Sequence, residues 1–220
     1  MERIAAKNIV SSYGRLQVLK GVDISAGAGQ CVGIVGRNGC GKSTLFDILA
    51  GLKKADGGEL WLDTGKSPAE CVGYVPQESC LLDELSVLDN LRLWYRDRAE
   101  LRRLLEQDFP GGLGAAGICR TRVGKLSGGM KKRVSIGCAL AGNPPILILD
   151  EPGAALDLTG KAQLRRYLAG YKGHGGTILI ATHEEGDLEL CDKLYALCGG
   201  KSREIDRLLR GEELVKNLSW

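Results

Sequence analysis

The chain has 220 residues, 44% of them apolar and 26% charged, with a net charge of +3 at neutral pH. That length fits one well-packed folding unit and is short for two independent cores, and the composition excludes long disordered segments. The small net charge, with bases scattered among acids, does not call for nucleic acid as a partner, and the longest apolar runs, Ile146–Leu149 and Thr177–Ala181, are far below the roughly 20 residues of a membrane span.

In chain order, "RIAAKNIVSSY" and "VLKGVDISA" alternate loosely and read as antiparallel strands beside a main sheet. The start, "MERIAAKNIVSSYG", lacks the basic and apolar regions of a secretory signal, so a cytoplasmic address is expected. Next come "CVGIV" as a strand, "KSTLFDILAGL" as a helix and "CVGYV" as a strand. From Gln77 to Leu126 strand signals stop, and "SVLDNLRLWYRDRAELRRLLEQDF" carries Leu and aromatic residues at helical spacing, a helical insertion. The piece "PGGLGAAG", Pro110 to Gly117, is expected to break that run as a loop. Then "ILILD", "QLRRYLAGY" and "TILIA" alternate strand, helix and strand, and "KSREIDRLLRGEELVKNLSW" reads as the end of the strands followed by packing helices. Strands apolar on both faces, alternating with helices, imply an α/β fold with a mostly parallel sheet. Eight cysteines without C-x-x-C spacing read as incidental thiols, most in apolar runs, rather than a metal or disulfide framework.

The segment Gly36–Ser43, "GRNGCGKS", fits G-x-x-x-x-G-K-[ST] directly between a strand and a helix. Gly36, Gly39 and Gly41 let successive N–H groups turn toward phosphate oxygens around Arg37, Asn38 and Cys40, and the helix N-terminus favours the anion. Lys42 supplies positive charge for the β and γ phosphates; Ser43, with Thr44 beside it, offers a hydroxyl to Mg²⁺. In "ILILDEP" Asp150 stands at a strand end where it can anchor Mg²⁺, and Glu151 is the candidate general base. His183 follows another buried strand at the same sheet edge, while His174 reads as a surface loop residue. "KLSGGMKKRVSIGCALA" opens a second helix at a Ser-Gly-Gly turn with Ser127 as N-cap, an anion-binding start with no second set of carboxylates to serve it. Lys131, Lys132 and Arg133 read as a solvated basic face of that helix.

Together these motifs resemble the nucleotide-binding domain of ATP-binding cassette (ABC) proteins, essentially from Tyr13 to His183. "GRNGCGKS" is similar to the Walker A loop, Gln77 to the Q-loop, "LSGGM" to the signature, "ILILDE" to Walker B, "AALD" to the D-loop and His183 to the switch histidine. The resemblance implies a P-loop NTPase (RecA-like) core with a flanking antiparallel β layer, over about 1–77 and 143–220, and an inserted α-helical subdomain over about 78–142. It implies ATP and Mg²⁺ as cofactors, with Tyr13 stacking on adenine and Gln77 joining Ser43 and Asp150 at the metal. It further implies a head-to-tail pair in ATP, in which Ser127, Gly128, Gly129 and Met130 reach the partner's nucleotide and Asp157 couples the two sites. Met130, where Gln is usual, resembles an exporter-like subgroup; Gly153 and Ala154 leave the D-loop without its usual hydroxyls. The expected role is an ATPase subunit of an ABC transporter, peripheral on the inner face of the cell membrane, energising a separately encoded permease that docks near Gln77 and "SCLLDELSVLDNL". Export is the expected direction. The alternatives are a soluble ABC ATPase of translation or DNA repair, a class that usually carries two cassettes or a long coiled coil, and an import ATPase.

Overall fold

The computed structural model describes residues 2–106 and 115–218. Two long strands open it, β1 (Glu2–Tyr13) and β2 (Leu16–Gly27), paired antiparallel across a turn in which Gly14 takes φ of 59°. Strand β3 (Cys31–Val35) leads into helix α1 (Lys42–Leu49), and β4 (Gly57–Leu62) returns to pair with β1. The short α2 (Pro68–Cys71) precedes β5 (Val72–Val75). Four α-helices follow among the described residues, α3 (Val87–Arg92), α4 (Arg98–Glu106), α5 (Ala115–Ile118) and α6 (Gly128–Ala139), with a 3-10 turn at Val123–Lys125 before the last. The chain closes with β6 (Ile146–Asp150), α7 (Leu158–Gly173), β7 (Thr177–Ala181), α8 (Glu185–Leu188), β8 (Lys193–Cys198), β9 (Lys201–Ile205) and α9 (Gly211–Lys216). No helix among the described residues is long and apolar enough to cross a membrane.

Two sheets result: a three-stranded antiparallel layer ordered β2-β1-β4, and a six-stranded sheet ordered β5-β6-β7-β3-β8-β9. The second is parallel except for β9, which doubles back on β8. Strands β3, β6 and β7 are buried at every position, as their unbroken apolar runs require of a sheet covered on both faces. Side chains alternate between two cores: Ile146, Ile148 and Leu179 pack with Phe46 and the antiparallel layer, while Leu147, Leu149 and Ile178 pack with Val134, Ile136 and Leu164.

Several sequence expectations need adjustment. The amphipathic run from Ser86, expected as a helical insertion, is divided into two helices, α3 and α4. Ser86 caps α3 by accepting from Asp89 N at 3.1 Å, and the Asp97 carboxylate accepts from Ala99 N at 2.8 Å, so local side-chain bonds set two separate helix starts. Buried Asn90 fastens the preceding loop, donating to the Leu82 and Ser86 carbonyls at 3.0 Å each and accepting from Leu82 N. Cys71 closes α2 instead of opening the strand, because Ser67 and Glu70 form a capping box. Residues 110–114 of the expected glycine-rich loop lie outside the described residues, and Ala115–Gly117 are helical. His174 stands in the exposed turn just past α7, as the surface-loop reading expects, and its ring bonds the Gly170 carbonyl at 2.7 Å. Strands β4 and β8 went unread, β4 because half-exposed "GGELWL" begins with two glycines.

Candidate active site

The Gly36–Gly41 loop joins the carboxyl end of β3 to α1. A side chain on Gly36 would meet the Leu197 carbonyl at 2.5 Å and the Cys40 sulfur at 2.6 Å, so only glycine lets the strand leave the sheet there. Gly39 and Gly41 are required for a different reason, their left-handed backbone: φ is 77° at Gly39, where open space surrounds the missing side chain, and 110° at Gly41, immediately before the helix. Lys42, the first helical residue, is buried and turns back across the loop, its Nζ donating to the Gly36 carbonyl at 2.8 Å and the Arg37 carbonyl at 3.4 Å.

Asp150 ends β6 at 1% exposure. Burial pushes its carboxyl above the usual range, opposed first by a hydrogen bond from the Ser43 hydroxyl and then by the charges of Lys42 and Lys132. Its Oδ2 is buried with no hydrogen-bond partner among the described residues. A carboxylate with one unsatisfied oxygen beside a serine hydroxyl is a hard-oxygen donor set that fits Mg²⁺. Glu151 follows with φ of 46°, a left-handed conformation rare for a side chain of its size. Its N–H still bonds the Ala181 carbonyl at 2.9 Å, so the strand ends and the chain swings out within one residue. The Glu151 carboxylate thereby meets two other loops: Gln77 Nε2 donates to Oε2 at 3.4 Å, and His183 Nε2 stands 3.7 Å from Oε1. His183 is held by its neighbours, for the Thr182 hydroxyl donates to Asp187 at 2.9 Å and accepts from Glu184 N at 3.1 Å. Glu184 and Asp187 are in turn clamped by Lys161 and Arg165.

Lys42, Ser43, Gln77, Asp150, Glu151 and His183 thus converge at the carboxyl edge of β3, β5, β6 and β7. The remaining expected residues stand elsewhere. Tyr13 ends β1 as a residue 53% exposed, outside the core, with Lys53 Nζ 4.5 Å from the centre of its ring. Ser127 caps α6, accepting from Met130 N at 3.3 Å. Gly128 and Gly129 face the loop after β6, where a side chain on Gly129 would come within 2.7 Å of the Ala155 carbonyl. Asp157 caps α7, accepting from Gly160 N at 2.7 Å with Arg133 Nη2 at 3.4 Å. Met130 is half-buried against the core, packing its thioether where the amide of a glutamine would need a partner.

The solvated reading of Lys131–Arg133 is wrong. Lys131 pairs with Asp83 at 2.7 Å, and Arg133 lies against Asp157. Lys132, 5% exposed, donates to the Pro76 carbonyl at 2.8 Å and the Gln77 carbonyl at 2.9 Å. Sequence reasoning missed it. The available signal was spacing: Lys132 shares a helix face with buried Ser135 and Ile136, three and four residues on.

A family profile described as ABC transporter matches residues 19–154, more than half of the chain. The chain belongs to the ABC transporter family. It is 35% identical to a sulfate/thiosulfate import ATP-binding protein, CysA, from Methylococcus capsulatus, covering 92% of this chain and 62% of that protein. It is 36% identical to an aliphatic sulfonates import ATP-binding protein, SsuB, from Zymomonas mobilis, covering 93% of this chain and 88% of the relative. Among solved structures, the ATP-binding subunit of an ABC transporter superposes with a TM-score of 0.86 at 26% identity, over 98% of this chain and 99% of the other. A dimeric ATP-binding cassette in a post-hydrolysis state with ADP and Pi superposes with a TM-score of 0.79 at 28% identity, over 94% and 99%. The cassette is an ABC-type ATPase domain with the P-loop fold, in which the expected antiparallel layer and helical insertion are both present.

Proposed function

We propose that this chain is the ATP-binding and ATP-hydrolysing subunit of an ABC transporter, energising a separately encoded permease through an ATP-sandwiched head-to-tail dimer. The observation that carries this reading is the convergence of Lys42, Ser43, Asp150, Glu151, Gln77 and His183 on one sheet edge, with an unsatisfied Asp150 oxygen among them. Backbone N–H groups of Gly36, Arg37, Asn38, Gly39, Cys40 and Gly41 cradle the phosphates; Lys42 and Thr44 hold them at the helix start. Ser43 and Asp150 would hold Mg²⁺, with Gln77 beside them, and the ion would supply positive charge against the phosphates. Glu151 accepts the proton of the attacking water, and His183, near its other oxygen, contacts the γ-phosphate. Half-exposed Tyr13 is open to stack on adenine.

The turn formed by Ser127, Gly128, Gly129 and Met130 serves a nucleotide held by the second copy, with Asp157 linking the two sites. The existence of dimeric cassettes with this fold supports that pairing. Residues 78–142 act as the helical subdomain, and the core comprises 1–77 and 143–220. The permease docks over residues 79–91, where Leu82 is exposed, with Leu93 and Trp94 exposed at 62% and 59% beside it. Membrane attachment comes through that partner. For direction, import replaces the export expectation: the relatives described above are import ATP-binding proteins by name, and Met130 has a packing role that needs no exporter subgroup.

The test is steady-state ATP hydrolysis against protein concentration, with dimerisation followed in parallel. A rate rising faster than linearly, with Glu151→Gln inactive yet dimeric in ATP, is the expected result. ATP binding without turnover or dimerisation in the wild type would contradict it.

A further inference from the structure

Lys132 is a buried cation that none of the roles above uses. It projects from α6, five residues beyond the Ser127 cap, and its ammonium is spent on two backbone carbonyls of a different segment, Pro76 at 2.8 Å and Gln77 at 2.9 Å. Two charge-assisted bonds to consecutive carbonyls pin the chain at the point where it leaves β5. The pinned residue is the one whose side chain reaches Glu151, through Gln77 Nε2 to Oε2 at 3.4 Å. The ammonium also feels the Asp150 and Glu151 carboxylates, although burial is the larger influence on it and holds it below the ordinary lysine range. A cation kept at 5% exposure is costly unless its bonds are made, so the contact is a built feature of the fold. A loop held only by its own backbone would have no reason to recruit a charge from another element.

We infer that Lys132 is a positioning residue for ATP hydrolysis: it fastens the loop at Pro76–Gln77 to the helix that begins at Ser127, so that Gln77 is set against Glu151 by the placement of α6. The inference rests on the active-site reading above. In consequence, any shift of α6 on engaging a second copy is delivered through one side chain to the residue facing the carboxylate. Lys132 itself touches neither substrate nor metal; it acts through the backbone of Gln77.

The experiment compares Lys132→Met, Lys132→Arg, Gln77→Ala and the Lys132→Met/Gln77→Ala pair. We expect Lys132→Met to lower kcat about tenfold with KM for MgATP changed by less than about twofold, since binding groups at Gly36–Ser43 are untouched. Lys132→Arg, which keeps two donors and the charge, should recover most of the rate. Because the lysine works through Gln77, the double variant should be no slower than the worse single one. An independent readout is hydrogen exchange of the amides at 77–80 in the nucleotide-free chain, expected to quicken in Lys132→Met and not in Lys132→Arg. Should Lys132→Met not melt cooperatively, Lys132→Leu, which likewise has no donor, replaces it under the same criteria. Unchanged kcat, a double variant in which the two losses multiply, or unchanged exchange in the Met variant would overturn the proposal. Failure of the active-site reading shows separately, as wild type that does not turn over or Glu151→Gln that still does, and leaves the exchange result to decide the tether.

Discussion

Two helix starts among the described residues, those of α1 and α6, are read above as anion sites, and they differ in what surrounds them. At α1 the glycine loop, Lys42 and Ser43 stand with Asp150, Glu151, Gln77 and His183, contributed by three further strand ends. At α6 the Ser127 turn meets Ala155 and Leu156, and its neighbours Lys131 and Arg133 are occupied by Asp83 and Asp157. One start has its chemistry in the same chain; the other has only the geometry for binding. The carboxylates near the Ser127 turn, Asp83 and Asp157, are already paired with Lys131 and Arg133, so on the proposed reading the metal donors for a phosphate at that turn come from another molecule. That contrast is what the proposed head-to-tail pair would resolve.

Variants that damage the two starts should therefore separate cleanly. The largest effect belongs to Glu151→Gln and Lys42→Ala, each expected to reduce kcat by about 10²-fold or more, with the Glu151 variant still binding ATP, measured by steady-state hydrolysis and nucleotide titration. Ser127→Arg comes next. It should cut turnover by about 10–10²-fold while leaving the affinity of the isolated chain for ATP within about twofold, because its own phosphate loop is intact. Removing Mg²⁺ with a chelator, or the donor with Asp150→Asn, should stop hydrolysis. In the nucleotide-free chain Asp150→Asn should also raise the Tm by about 2–4 °C at neutral pH, since a charge buried against its own solvation is removed. The smallest effect is Met130→Gln, expected to change kcat by less than about threefold and to lower stability by ~1 kcal/mol through lost packing, as read by denaturant unfolding.

Much of the candidate catalytic edge was legible because a phosphate-loop pattern is local in sequence. Gly36, Gly39, Gly41, Lys42 and Ser43 are close in the chain, and continuous apolar runs end at Asp150 and just before His183. The α/β layering was legible for the same reason, as strands buried on both faces leave no polar alternation to misread. What sequence did not reveal depends on contacts between distant segments. Lys132 looked like any lysine on a helix until the fold placed the carbonyls of Pro76 and Gln77 beside it. The break between α3 and α4 arose from side-chain bonds of Ser86 and Asp97 that override a continuous helical pattern. Met130 pointed toward export only by likeness of one residue, whereas its packing against the core is a local requirement that carries no direction of transport.

The most direct measurement of a shared site is complementation by mixing. Lys42→Ala and Ser127→Arg chains, each nearly inactive alone, are combined and assayed for ATP hydrolysis. In a head-to-tail heterodimer one site unites both defects, and the other unites the intact phosphate loop of the Ser127→Arg chain with the intact Ser127 turn of the Lys42→Ala chain. Recovery of activity on mixing, up to about a quarter of the wild-type rate for random pairing of two independent sites, is the expected result. Activity that stays at the sum of the two separate chains would contradict the shared site, and a Ser127→Arg chain that is fully active alone would contradict it by showing that each phosphate loop works without a second copy.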